Sequence, residues 1–137
     1  MEIEKEIEVE KKQRILIVDD NEINRILLKK MLSNYPFELQ FCDNGKSAYE
    51  CVLTKQFDIV LMDIYMPIMN GLEATKEIRR LNDTYFKDLP IIALTASIIS
   101  SDIEKMKTDG FNDYQSKPFK IEELVAKINK FTSAKSV

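Results

Sequence analysis

From Arg14 to Phe131 the hydrophobic and polar positions switch five times between a short apolar or alternating run and a run with helical spacing. Residues 15–18 (ILIV) form the first apolar run; after it Ile23, Ile26, Leu27 and Met31 share one helical face. FELQFC (37–42) alternates apolar and polar, and Asn44 then stands where it can cap a helix carrying Ala48, Cys51 and Val52. FDIVLMD (57–63) is nearly all apolar, and after MPIMNG a helix carries Ala74, Ile78 and Leu81. PIIALT (90–95) precedes a helix with Ile99, Ile103 and Met106, which Gly110 can end. DYQS (113–116) is a short fifth strand, followed beyond Lys117 and Pro118 by a helix with Ile121, Leu124, Val125, Ile128 and Phe131.

Strict strand–helix alternation with short connections predicts a parallel sheet covered on both faces, because parallel neighbours need right-handed crossovers. The fold class is doubly wound α/β. Strands one, three and four read as continuous apolar runs and belong in the middle, whereas the alternating second and the short, polar fifth belong at the edges. The order 2-1-3-4-5 satisfies this, and sheets of this kind bind ligands beyond the carboxyl ends of their strands.

The residues at those ends form a chemical set. Asp19 and Asp20 follow the first strand, Asp63 ends the third, Thr95 ends the fourth and Lys117 follows the fifth. Three carboxylates in one cleft repel one another unless a cation is present. Oxygen ligands without Cys or His favour a hard ion that keeps waters and meets a phosphate oxygen, which describes magnesium. Lys117 offers a point charge and Thr95 a hydroxyl donor to a phosphoryl oxygen. Met62, Met66 and Met69 read as packing rather than as sulfur ligands.

Composition narrows the alternatives. The 137 residues suit one domain, and 20 basic against 23 acidic side chains give a formal charge of -3, with no general attraction to nucleic acid or anionic lipid. No apolar run approaches a membrane span or a signal peptide. There is no histidine, which excludes a Ser-His-Asp triad and any phosphohistidine on this chain; Cys42 and Cys51 read as buried thiols in a reducing compartment. Residues 1–12 (MEIEKEIEVEKK) read as a charged linker or the end of a preceding helix, and residues 133–137 as a tail.

ILIVDDNE, LMDIYMPIMNG, IIALTAS and DYQSKPF occur in this order. With that spacing, residues 13–132 resemble the receiver domain of two-component response regulators, which has a flavodoxin-like (βα)5 fold. DDNEINRILLKKML and GLEATKEIRRL look like the receivers attached to hybrid histidine kinases. The resemblance implies that Asp63 is the phosphoacceptor, that Asp19, Asp20, Asp63 and the backbone carbonyl of Tyr65 hold Mg2+, for which Mn2+ can substitute, and that Thr95 and Lys117 hold phosphoryl oxygens. It makes Thr95 and Tyr114 the switch pair and Lys117-Pro118 a cis bond. Asn70 departs from the aspartate the family often has there. The implied partners are a histidine kinase dimerisation domain or a histidine phosphotransfer protein, with no nucleic acid or membrane contact, in a cytoplasmic monomer or weak phosphorylation-dependent dimer. The domain would catalyse its own phosphorylation and dephosphorylation rather than turn over a substrate. Three rivals fit less well, one of them a pseudo-receiver acting as a docking module only, against which the intact acceptor set speaks. An aspartyl-phosphate hydrolase would place a second aspartate where this chain has Tyr65, and the DDNE loop would repel a flavin phosphate.

Overall fold

The structure, a computed structural model, describes residues 12–96 and 100–133. Residues 1–11, with most of the charged N-terminal stretch, lie outside the described residues. So do Ser97, Ile99, the tail beyond Ser133 and the side chain of Ile103.

Five strands, β1 (Gln13–Val18), β2 (Phe37–Cys42), β3 (Ile59–Asp63), β4 (Ile91–Thr95) and β5 (Asp113–Ser116), form one parallel sheet in the order 2-1-3-4-5. Six helices are described among them: α1 (Glu22–Leu32), α2 (Gly45–Thr54), α3 (Gly71–Arg79), α4 (Thr84–Asp88), α5 (Ser100–Thr108) and α6 (Ile121–Ser133). Apolar central strands and polar edges are both observed: β3 and β4 are buried throughout, while β2 is only partly covered.

Alternate residues of the central strands feed two cores. Leu16, Val18, Val60, Met62, Ile91 and Ala93 meet Ala48 and Val52 of α2, Ala74 and Ile78 of α3, and Met106 of α5. Ile15, Ile17, Ile59, Leu61, Ile92 and Leu94 meet Leu28 and Leu32 of α1 and Leu124, Val125 and Ile128 of α6. Each large side chain so buried contributes about 1.5–3 kcal/mol, so these two layers fix the strand ends in space.

Helix ends follow local chemistry. Asn44 accepts from the Ser47 amide at 2.8 Å and caps α2 as expected. Gly110, at φ 110°, takes the left-handed conformation that ends α5. Asn70 caps α3, its oxygen accepting from the Glu73 amide at 2.9 Å while the Glu73 carboxylate accepts from the Asn70 amide at 3.0 Å. This reciprocal box gives the asparagine at the family's usual aspartate position a structural role.

Three expectations are corrected. The face of α1 that carries Ile23, Ile26 and Leu27 is not the packed one; these residues are 74%, 55% and 52% exposed, and Leu28 and Leu32 are buried instead. The inner face of α1 begins with Asn24 and Arg25, which bond to Asp19, and those bonds set the helix's rotation. Second, α4 has no counterpart in the periodic pattern; Asp83 caps it and the Tyr85 hydroxyl ties it to the Phe57 backbone. Third, Cys42 and Cys51 are free thiols only partly buried. Burial, with a smaller contribution from Cys51, pushes the Cys42 thiol up to about 12.

Candidate functional site

Asp19 follows the last residue of β1 and is fully buried. A buried carboxylate needs donors, and the chain supplies them locally. Its Oδ1 accepts from the Asn21 amide at 2.9 Å and its Oδ2 from Asn24 Nδ2 at 3.3 Å. The Asp19 amide donates to the Cys42 carbonyl at 3.1 Å, and its own carbonyl accepts from Arg25 Nη1 at 2.8 Å. Asp19 is thus held on its backbone and both carboxylate oxygens.

Asp63 closes β3, whose flanking strands are β1 and β4, and is 7% exposed. Burial holds its carboxyl above the usual carboxylate range; the Lys117 ammonium opposes that rise and the Asp19 charge adds to it, while a hydrogen bond from the Tyr65 amide lowers it. Asp20 is exposed, and one carboxylate oxygen from each of Asp19, Asp20 and Asp63 lies within 4.8 Å of the others.

Lys117, which follows β5, joins this cluster. Its amide donates to the Thr95 carbonyl at 2.8 Å, which joins the end of β5 to the end of β4, and Lys117-Pro118 is cis as expected. Its Nζ lies 3.1 Å from Asp19 Oδ2 and 3.4 Å from Asp63 Oδ2. The structure therefore brings Asp19, Asp20, Asp63 and Lys117 together, with Thr95 buried at the neighbouring strand end. Tyr65 presents its amide to Asp63 while its side chain is 72% exposed. Tyr114 pairs with Ala93 in the sheet and packs on the same core as Met106. Lys127 of α6 lies over its ring, 4.9 Å from the centroid, and donates to its backbone carbonyl.

The donor set fits a hard divalent cation: three carboxylates against one ammonium leave an excess of negative charge, and every donor is oxygen. Supporting residues outside the expected set are Asn21, Asn24 and Arg25, which hold Asp19, and Gly71. The Gly71 amide donates to the Ile64 carbonyl at 2.9 Å, and a Cβ there would lie 2.2 Å from the Asp63 carbonyl oxygen. The glycine that ends MPIMNG was the available signal for this close approach.

Residues 15–129 match the family described as the response regulator receiver domain. The chain belongs to that family. It is 36% identical over 133 residues to hybrid signal transduction histidine kinase G of Dictyostelium discoideum, covering 96% of this chain and 4% of that protein. Among solved structures, it is similar to the receiver domain of sensor histidine kinase PA1611 from Pseudomonas aeruginosa, which has magnesium in its active-site cleft. That similarity has a TM-score of 0.81 at 33% identity and covers 90% of this chain and 99% of that one. It is also similar to a Saccharomyces cerevisiae complex of the histidine phosphotransfer protein Ypd1 with the Ssk1 receiver domain, with a TM-score of 0.83, 29% identity and 95% of each chain covered. The receiver domain seen here thus spans a small fraction of the curated kinase it matches, and its fold is that of the receiver domains among the solved structures.

Proposed function

We propose that Asp63 of this receiver domain, residues 13–132, accepts a phosphoryl group from a phosphohistidine on a partner. The observation that carries the reading is Lys117 Nζ at 3.1 and 3.4 Å from Asp19 and Asp63 inside a three-carboxylate cluster at the carboxyl edge of the sheet. An Asp63 carboxylate oxygen attacks phosphorus in line; the new O–P bond forms as the P–N bond to imidazole breaks, and the electron pair leaves on the imidazole nitrogen. An ionised carboxylate needs no general base, which suits a chain without histidine. Lys117 exchanges its contact with Asp63 for a phosphoryl oxygen, and the Thr95 hydroxyl donates to another. Asp19, Asp20, Asp63 and the Tyr65 carbonyl would hold Mg2+, or Mn2+ in its place, which supplies charge neutralisation to the phosphoryl oxygens when bound. The same residues catalyse hydrolysis of the acyl phosphate or its passage to another histidine. Thr95 and Tyr114 then act as the switch, Thr95 moving toward the new oxygens and Tyr114 filling the space it leaves.

The partner is a histidine phosphotransfer protein or a kinase dimerisation domain. Supporting this is the exposed apolar face of α1, Ile23, Ile26 and Leu27, which begins three residues after Asp20. Ile68, in the loop after β3, is 79% exposed and holds φ at 70°, a left-handed conformation unfavourable to a β-branched residue. A helix carrying the phosphohistidine would lie across this rim. Among the described residues no helix is long and apolar enough to cross a membrane, and we place the domain in the cytoplasm, free or tethered to a hybrid kinase. Intact mass after incubation with magnesium and acetyl phosphate tests the reading. One labile phosphoryl group, lost in EDTA and in Asp63→Asn, supports it; an adduct that persists in Asp63→Asn overturns it.

A further inference from the structure

Lys127 lies on α6, whose apolar residues Leu124, Val125 and Ile128 pack on the core shared with α1. Tyr114 turns the other way, onto the core shared with Met106 of α5. The two nevertheless meet, because β5 is the last strand of the sheet and leaves an open edge around which a long side chain reaches. There the half-buried Lys127 ammonium makes three contacts with two successive residues. It lies 3.7 Å from Asp113 Oδ1, donates to the Tyr114 carbonyl and stands 4.9 Å from the centroid of the Tyr114 ring. The carboxylate and the carbonyl keep the ammonium at the strand edge wherever the ring goes, whereas the cation–π attraction exists only while the ring stays within about 6 Å. Thr95 ends β4, one strand further in, where it pairs with Ser116. A ring that moves into the space Thr95 leaves therefore moves away from the open edge and from the ammonium.

We propose that Lys127 is a positioning residue for the switch, a latch whose ammonium holds the Tyr114 ring at the outer edge of β5 and opposes its inward movement on phosphorylation. This role rests on Thr95 and Tyr114 acting as the switch pair. The latch favours one state because only there does the ring meet the cation, which is the differential contact that a population shift requires. A cation–π attraction at a partly exposed site corresponds to a factor of about two to five in the ratio of outward to inward ring. Ring position and the phosphoryl site share one equilibrium, so the same factor enters the affinity for a phosphoryl mimic. Removing the Lys127 charge makes the domain easier to switch without altering any residue of the acidic cluster.

Three-bond NMR couplings give the Tyr114 χ1 populations in the full chain, and a titration with beryllofluoride in magnesium gives the affinity for the mimic. Both are measured for wild type, Lys127→Met and Lys127→Arg. In the free wild-type chain the outward ring should dominate, and beryllofluoride with magnesium should shift it inward. Lys127→Met should raise the inward-to-outward ratio of the free chain about two- to fivefold and tighten beryllofluoride binding by the same factor. Lys127→Arg, which keeps a cation over the ring, should restore both to near wild type, as a residue that merely fills space would not require. Amide shifts unchanged outside β5 and α6 show that the variants fold. The latch is overturned if Lys127→Met leaves ring populations and beryllofluoride affinity at their wild-type values, or if Lys127→Arg behaves as Lys127→Met does. A wild-type ring that bound beryllofluoride does not move overturns the switch itself, a result distinct from a ring that moves in wild type and is indifferent to Lys127.

Discussion

Gly71→Ala sets two effects of opposite sign against each other. Gly71 is the first residue of α3, and helix propensity alone makes alanine better than glycine by about 0.5–1 kcal/mol in a helix interior. The structure predicts the reverse. The new Cβ would stand 2.2 Å from the Asp63 carbonyl oxygen and 3.0 Å from both the Ile64 Cα and the Met62 Cγ. Ordinary carbon contacts lie near 3.5–4 Å, so the helix start or the end of β3 must retreat by about 1 Å. The carbonyl cannot give way readily, because β3 is hydrogen-bonded between β1 and β4. Overpacking of this kind costs about 1–3 kcal/mol, which outweighs the propensity gain and leaves a net loss of roughly 1–2 kcal/mol. Urea unfolding should show a lower midpoint with an unchanged slope. Phosphorylation by acetyl phosphate should also slow, because the displaced strand end carries the nucleophile. A Gly71→Ala midpoint equal to or above that of the wild type would show that the strand end yields to the new Cβ without cost.

Burial raises the Asp63 pKa, so the folded chain keeps this proton to higher pH than the unfolded chain does, and Asp63 lowers stability as pH rises from the ordinary value of 3.8 through its folded pKa. Asp63→Asn should therefore be more stable than wild type at neutral pH, with the advantage fading below 3.8; a less stable variant at neutral pH in urea titrations would contradict this. Lys117→Met leaves Asp19 and Asp63 without their ammonium, which should cost about 3 kcal/mol, the low end for a broken buried pair. That loss should shrink when magnesium replaces EDTA, as thermal unfolding in the two buffers will show. Ile23→Ser with Leu27→Ser removes exposed apolar surface, so folding should change by less than about 0.5 kcal/mol. Transfer from a phosphorylated histidine phosphotransfer protein should fall at least tenfold, with acetyl phosphate reactivity intact; unaffected transfer would remove α1 from the docking face.

The sheet was legible because central parallel strands are buried on both faces and leave unbroken apolar runs such as IVLMD and IIALT. The cluster was legible for a related reason: aspartates placed at the ends of such runs have one edge of the sheet to occupy. The rotation of α1 was not. Its sequence offers more than one apolar stripe, and the choice is made by Asn24 and Arg25 bonding to Asp19, a tertiary interaction with no periodic signature. α4 escaped notice because five residues are too few for periodicity, and its anchor is a long-range bond from Tyr85 to Phe57. The cysteines were read as buried from residue type alone, whereas Cys42 lies on β2, an edge strand that is only partly covered.

If the Asp63 carboxylate forms the acyl phosphate, the phosphoryl group can be located chemically at that residue. Reductive trapping tests it most directly: the chain is phosphorylated with acetyl phosphate and magnesium, treated with borohydride, digested and sequenced by mass spectrometry. Reduction converts an aspartyl phosphate to homoserine. Homoserine is expected at position 63 and at no other aspartate, with none formed in EDTA; homoserine at Asp19 or Asp20, or a reduced Asp63 that forms equally well without the phosphodonor, would rule out Asp63 as the acceptor.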